Sequence, residues 1–187
     1  ITDTKRWWIL YQPINFKIGN KQLGDREEFK NLCDKAKEKG IKIYVDVIAN
    51  HTGNDNDDAT KYPDNIDDDI KNIGEDAWHN PLHSVASWDD RFEVTHGCVG
   101  LPDLNTENKR IQNLFKKYLQ DCLDCGADGF RVDTAKHIAL PTEEGNCRSD
   151  FWPNAFGGLI TQDNKKPYVY GEVLQGGADN YKEYSNY

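Results

Sequence analysis

The chain has 187 residues, a length that one domain usually takes, and its 37% hydrophobic and 11% aromatic content is enough for a packed core. A strongly negative mean hydropathy and the lack of any long apolar run exclude a membrane-spanning helix. A net charge of -9 without a Lys/Arg cluster argues against nucleic acid as a partner, since phosphate binding relies on clustered cations that release counterions.

The first predicted element is a helix over 26–39. Asp25 stands where a cap belongs, Glu28 follows three residues later, Gly40 closes the element, and Phe29, Leu32, Cys33 and Ala36 form its apolar stripe. A strand over 41–48 follows at once, nearly continuous in apolar and β-branched residues as a buried parallel strand would be.

Residues 52–105 are polar and rich in turn formers, too long for an ordinary connection, and are expected to form a small inserted domain. Within them Asp55, Asp57, Asp58, Asp64, Asp67, Asp68 and Asp69 lack the spacing and glycine of an EF-hand and read as a solvated loop. His96 and Cys98 resemble half a metal site, but no second pair at zinc spacing accompanies them, so no zinc is expected.

A second helix is predicted over 109–125, stopping at Gly126, followed by a short strand over 129–133. Cys122 continues the apolar face of Ile111, Leu114, Phe115, Tyr118 and Leu119, so its C-x-x-C pairing with Cys125 reads as core packing rather than redox chemistry. Pro153, Gly157 and Gly158 limit helix length in the next stretch, and a last strand is predicted over 167–173.

Helix and parallel-type strand therefore alternate, the pattern of a doubly wound sheet or a (β/α)₈ barrel. In either, the ligand site lies beyond the carboxyl ends of the strands, which here carry Asn50 and His51, then Arg131, Asp133 and His137, then Glu172. Arg131 and Asp133 are two apart in a strand and share a face. The guanidinium is expected to keep Asp133 ionised, as a nucleophile must be, although a structural ion pair at a strand end has the same pattern. Glu172 follows Tyr, Val, Tyr and Gly; apolar surroundings would raise its pKa into the range of a general acid, although a surface glutamate could also stand there. A carboxylate held low beside one held high is the pair that glycoside hydrolysis needs.

Four stretches, in order, resemble characteristic regions of the α-amylase family of glycoside hydrolases: Asp46-Val47-Ile48-Ala49-Asn50-His51, Leu101-Pro102-Asp103-Leu104-Asn105, the run from Gly129 to His137, and Gly171-Glu172-Val173. Trp7-Trp8-Ile9-Leu10-Tyr11-Gln12-Pro13 extends the similarity over nearly the whole chain. The resemblance implies a partial (β/α)₈ TIM barrel covering about strands three to five, with residues 1–51 and 106–187 in the barrel and 52–105 as its inserted domain B. It implies Asp133 as nucleophile, Glu172 as acid/base and Arg131 as the group that orients the nucleophile. Trp7, Trp8, Tyr11, Gln12, His51, Lys136 and His137 would bind sugar. Asn50 and Asp103 would hold a structural Ca²⁺ through side chains, and Thr95 and His137 through backbone carbonyls, a hard-oxygen set suited to that ion. Members usually have tyrosine where Trp8 stands, and the Lys136-His137 pair resembles α-amylases more than relatives that cut α-1,6 bonds or transfer glucans.

The implied activity is retaining endo-hydrolysis of α-1,4 bonds in starch and maltooligosaccharides by a secreted, monomeric protein whose signal peptide would lie upstream of Ile1. The family's third carboxylate belongs to an Asn-His-Asp motif after the seventh strand. The only Asn-His here, Asn50-His51, is followed by Thr52, so that group is expected outside this segment. A maltogenic, debranching or glucanotransferase relative, and a non-catalytic carbohydrate-binding relative, are the alternatives.

Overall fold

The computed structural model describes residues 7–174 and 178–187. A 3₁₀ helix, Trp7–Tyr11, is followed by α1 (Arg26–Glu38) and β1 (Tyr44–Ile48). The long connection carries α2 (Asp68–Lys71), a 3₁₀ turn (Gly74–Ala77) and α3 (Arg91–His96) before α4 (Lys109–Asp124) and β2 (Gly129–Asp133). The 3₁₀ turns Ala135–His137 and Gly145–Cys147, then α5 (Phe151–Phe156), β3 (Tyr168–Gly171) and the 3₁₀ helix Ala178–Asn186 complete the order.

Capping fixes the helix starts. Asp25 accepts from the Glu28 backbone N–H while the Glu28 carboxylate accepts from the Asp25 N–H, both at 2.9 Å, and Asn108 caps α4 by accepting from Arg110 N. Of the predicted α1 stripe, Cys33 and Ala36 are buried, whereas Leu32 is 55% exposed because it faces an open groove beside β1. β1 starts three residues later than predicted. The Ile41 N–H is spent on Ala36 O in closing α1, so it cannot join the strand ladder.

The three strands form one parallel sheet in the order β1-β2-β3. Register sets Asp46 beside Arg131 and Ile48 beside Asp133, then Arg131 beside Tyr170. β3 ends at Gly171, but Glu172 N still donates to Val132 O at 2.8 Å, so Glu172 occupies the next ladder position. Gly129 has to be glycine, since a Cβ there would lie 1.9 Å from Tyr168 O.

Alternation along the strands gives the sheet two unlike faces. Val47, Phe130 and Val132 pack with Phe115, Leu119 and Leu123 of α4 and Phe151, Trp152 and Ala155 of α5. Each such large side chain contributes about 1.5–3 kcal/mol on burial. Cys122 and Cys125 are buried free thiols in or beside this core, in line with the packing reading. The other face carries Tyr44, Asp46, Arg131, Asp133, Tyr168 and Tyr170 in register. A second cluster (Ile66, Ile70, Ala77, Trp78, Leu104 and Ile111) anchors the 52–105 segment on α4, with Tyr62 stacked on Trp78 at 3.9 Å. In the acidic stretch Asp67 caps α2 and pairs with Lys17 at 2.6 Å, so part of that stretch is pinned rather than freely solvated. Among the described residues no helix is long and apolar enough to cross a membrane.

Candidate active site

Parallel register brings the acidic groups to one arginine. Arg131 Nη1 lies 2.7 Å from both Asp46 carboxylate oxygens and 3.1 Å from Asp133 Oδ1, and Nη2 lies 3.2 Å from Glu172 Oε2. Tyr11 OH donates to Asp46 Oδ2 at 2.8 Å. The three residues expected to carry chemistry are thus joined through a single guanidinium at the carboxyl ends of adjacent strands. Asp46 had been quoted only as part of a motif, and the structure adds it to the cluster. The available signal was a carboxylate inside an otherwise apolar buried strand.

Electrostatics revise one expectation. The Asp133 carboxyl is pushed up to about 6 by burial and by Glu172, which outweigh Arg131, because that guanidinium also serves Asp46 and Glu172. The surroundings expected for Glu172 also differ: its Oε2 accepts from the Thr134 N–H at 3.1 Å as well as facing Arg131, so the site is polar rather than apolar. Thr134 adopts left-handed backbone (φ 49°), costly for a β-branched residue, and that turn aims its N–H at Glu172. Gly171 admits a close approach: a Cβ there would lie 2.7 Å from Ala135 Cβ, so the turn after Asp133 seats against β3.

The sugar-binding candidates divide. Trp7 (70% exposed) and Trp8 are open to solvent in the Trp7–Tyr11 turn, their rings edge to face at 6.0 Å. Tyr11 points its hydroxyl at Asp46, and Gln12 lies against Gly53 at the start of the long connection. His51 is buried, its Nε2–H donating to Tyr11 O at 3.0 Å and its Nδ1 without a partner, and burial lowers its pKa to about 4, so the ring is neutral. Lys136 Nζ donates to Leu174 O and lies 5.6 Å from the Trp88 ring centroid, while His137 meets the Trp88 edge at 5.9 Å. Trp88 is 59% exposed, and no motif had marked it.

The four residues expected to hold a metal fall in two pairs, Asn50 with Asp103 and Thr95 with His137. Leu104 N donates to Asn50 O, an isolated bridge joins His51 to Asp103, and His137 Nδ1–H donates to Val94 O beside Thr95. Asn50, Thr95, Asp103 and His137 are buried, and Asp103 Oδ1 and Asn50 Nδ2 make no well-formed hydrogen bond, the Asn50 amide giving the Asp103 carboxylate only minor support. An orphaned buried carboxylate oxygen costs free energy unless a cation meets it, so these residues fit a hard divalent ion. Next to them His79 bridges two carboxylates, Nδ1 to Asp103 Oδ2 and Nε2 to Glu107 Oε2, each at 2.6 Å. Burial disfavours charge on His79, but the two carboxylates prevail and raise its pKa to about 9. His96 lies against His79, with centroids 4.2 Å apart. The sequence expectation that left His96 without metal-type partners overlooked His79 and Glu107, which lie far from it in sequence and beside it in space.

A guanidinium gathering three carboxylates toward the carboxyl ends of adjacent parallel strands, with helices on the opposite face, is an arrangement found in α/β proteins of the barrel class. Comparison with known proteins agrees. The family model "Alpha amylase, catalytic domain" matches residues 7–187. An "Alpha-amylase" of Clostridium acetobutylicum is 38% identical over all of this chain, which spans 24% of that protein, and one of Butyrivibrio fibrisolvens is 38% identical over 97% of this chain and 20% of its own length. Among solved structures, the acarbose complex of the Geobacillus thermoleovorans alpha-amylase superposes with a TM-score of 0.68 at 24% identity, covering 88% of this chain and 33% of that one. The E249Q mutant of Eisenia fetida alpha-amylase I with maltohexaose gives 0.69 at 20% identity, over 92% and 36%. The chain belongs to the alpha-amylase family, and its fold is a part of that family's (β/α)₈ barrel.

Proposed function

We propose that the full-length protein bearing this chain is a retaining α-amylase that cleaves α-1,4 bonds inside starch and maltooligosaccharides. The observation that carries this reading is the junction of Asp46, Asp133 and Glu172 on Arg131 at the strand ends. Glu172, protonated, would donate to the glycosidic oxygen as the bond to the anomeric carbon breaks. Asp133 would attack that carbon to form a covalent glycosyl ester, and Glu172 would then deprotonate the water that releases it. Two inversions at one carbon leave its configuration unchanged.

Arg131 would hold the nucleophile in line, with Asp46, itself held by the Tyr11 hydroxyl, holding Arg131. Trp7, Trp8, Gln12, His51, Lys136 and His137 would contact the glucan, flat rings against sugar faces and polar atoms to hydroxyls. Asn50 and Asp103 side chains with Thr95 and His137 carbonyls would hold Ca²⁺, which supplies a fixed link between the barrel and residues 52–105 as domain B. Secretion and a monomeric state accord with this reading and rest on the family alone.

The test is stereochemical. NMR of the first products from a maltooligosaccharide should show the α anomer, and Asp133→Asn should remove nearly all turnover while substrate still binds. A β-configured first product, or an active Asp133→Asn variant, would sink the mechanism. Product analysis on starch and pullulan separates endo-hydrolysis from a debranching or transglycosylating activity.

A further inference from the structure

One donor atom from each of His79, His96 and Glu107 lies within 4.8 Å of the other two. The three residues come from different places: His79 follows the Gly74–Ala77 turn, His96 ends α3, and Glu107 precedes α4. Each histidine has its Nδ1 already engaged, by Asp103 Oδ2 on His79 and by Thr95 Oγ1 at 2.8 Å on His96, so the ion would take Nε2 on both, which on His79 is the nitrogen now bonded to Glu107. A carboxylate on the far nitrogen of a ligating histidine is the usual device that fixes its tautomer and strengthens it as a donor.

We propose that His79, His96 and Glu107 form a transition-metal site of zinc type, separate from the oxygen-lined site at Asn50 and Asp103 and joined to it through the two oxygens of Asp103. Two imidazoles and one carboxylate suit Zn²⁺ and its neighbours, whereas Ca²⁺ and Mg²⁺ prefer oxygen. Three protein ligands leave the fourth tetrahedral position to water. The ion takes the place of the proton between His79 Nε2 and Glu107 Oε2, now 2.6 Å apart, and the proton leaves to solvent. Bonds of about 2.0–2.1 Å at tetrahedral angles need these atoms about 3.3 Å apart, a small side-chain adjustment. Glu107 is partly exposed, which gives the ion a way in.

The consequence is mechanical. An ion held here ties two points of the 52–105 segment to the start of α4, while Asp103 turns one oxygen to His79 and leaves the other, Oδ1, for the neighbouring site. This proposal does not depend on the glycosidase reading, because its readout is metal binding.

The full-length protein bearing this chain is stripped of metal, saturated with Ca²⁺, and titrated with Zn²⁺ by calorimetry and with Co²⁺ by visible absorption. One equivalent of Zn²⁺ should bind, Co²⁺ should give the intense band of a tetrahedral site, and Zn²⁺ should raise the melting temperature further. His79→Gln also disturbs Asp103, so His96→Gln and Glu107→Gln decide: each should melt near the metal-free parent and lose about 100-fold or more in Zn²⁺ affinity, beyond what an outer-sphere change costs. A parent with no saturable Zn²⁺ binding in the presence of Ca²⁺ would overturn the proposal and leave His79 as a structural ion pair. Unchanged affinity in folded His96→Gln and Glu107→Gln would overturn it as well.

Discussion

The carboxylate of Asp46 lies under Arg131, with Nη1 of the guanidinium 2.7 Å from both of its oxygens. Asp46 therefore competes with Asp133 for the same nitrogen, and it stands among the groups that raise the Asp133 pKa. Asp46→Asn should loosen Arg131 and cost about 100-fold in kcat, the scale of a misplacement near 1 Å. It should also move the acid limb of the kcat/KM profile to lower pH, since one charge that opposes ionisation of Asp133 is gone. A rate loss with an unmoved acid limb would make Asp46 structural only.

Asp133 also links activity to stability. Its carboxyl is raised to about 6 in the folded protein from an ordinary 3.8, chiefly by burial, so folding takes up a proton in that window. The sign follows: the folded state is relatively favoured below about pH 4, and stability falls as pH rises through 6. Asp133→Asn should therefore melt at a higher temperature than the parent at pH 7 and near the same temperature at pH 4, while being inactive. Equal melting of the two proteins at pH 7 would contradict the burial argument.

Much of the frame was legible in the sequence, because helix starts and strand bodies are local. Asp25 with Glu28, Gly40, Gly126 and the apolar run through Val47 mark their elements without outside help. What was not legible depends on register and long-range approach. Nothing near Asp46 in sequence says that Arg131, 85 residues on, will sit beside it. The same holds for His79, His96 and Glu107, which match no spacing rule. The upward direction of the Asp133 shift was not legible because Arg131 alone was weighed, and its other two carboxylates came from other strands, although a carboxyl at about 6 is still mostly ionised at neutral pH.

Calcium removal supplies a third prediction. Asp103 is buried beside Asn50 with an unpaired carboxylate oxygen, so an ion that binds only the folded state should stabilise it by mass action. Chelation of the full-length protein should lower its melting temperature and open 52–105 to proteolysis, with recovery on adding Ca²⁺. Asp103→Ala should behave as the chelated protein does and fail to recover. Unchanged melting after chelation would remove the basis for an ion at these residues.

The 187-residue chain expressed by itself is expected to be neither stably folded nor active. A (β/α)₈ barrel needs eight strand-helix units and about 250 residues, whereas the sheet here has three strands with β1 and β3 at its edges. Unpaired edges of this kind template aggregation. On the face that a closed barrel would turn inward, Tyr44, Tyr168 and Tyr170 are 44%, 62% and 46% exposed, and beside β1 a groove of about 1000 Å³ is lined by Phe29, Leu32, Ile43 and Val45 among others. The core formed by α4 and α5 packs on one face of the sheet, the face of Val47, Phe130 and Val132. Chemistry would fail as well, because a third carboxylate that stabilises charge in the transition state is expected outside these residues, and no fold of this piece can supply it. Expression of residues 1–187 should give aggregated or loosely folded material without a cooperative melting transition and without starch hydrolysis. A monomer that melts cooperatively and releases maltooligosaccharides from starch would show that three strands suffice, and would overturn the argument from the open sheet.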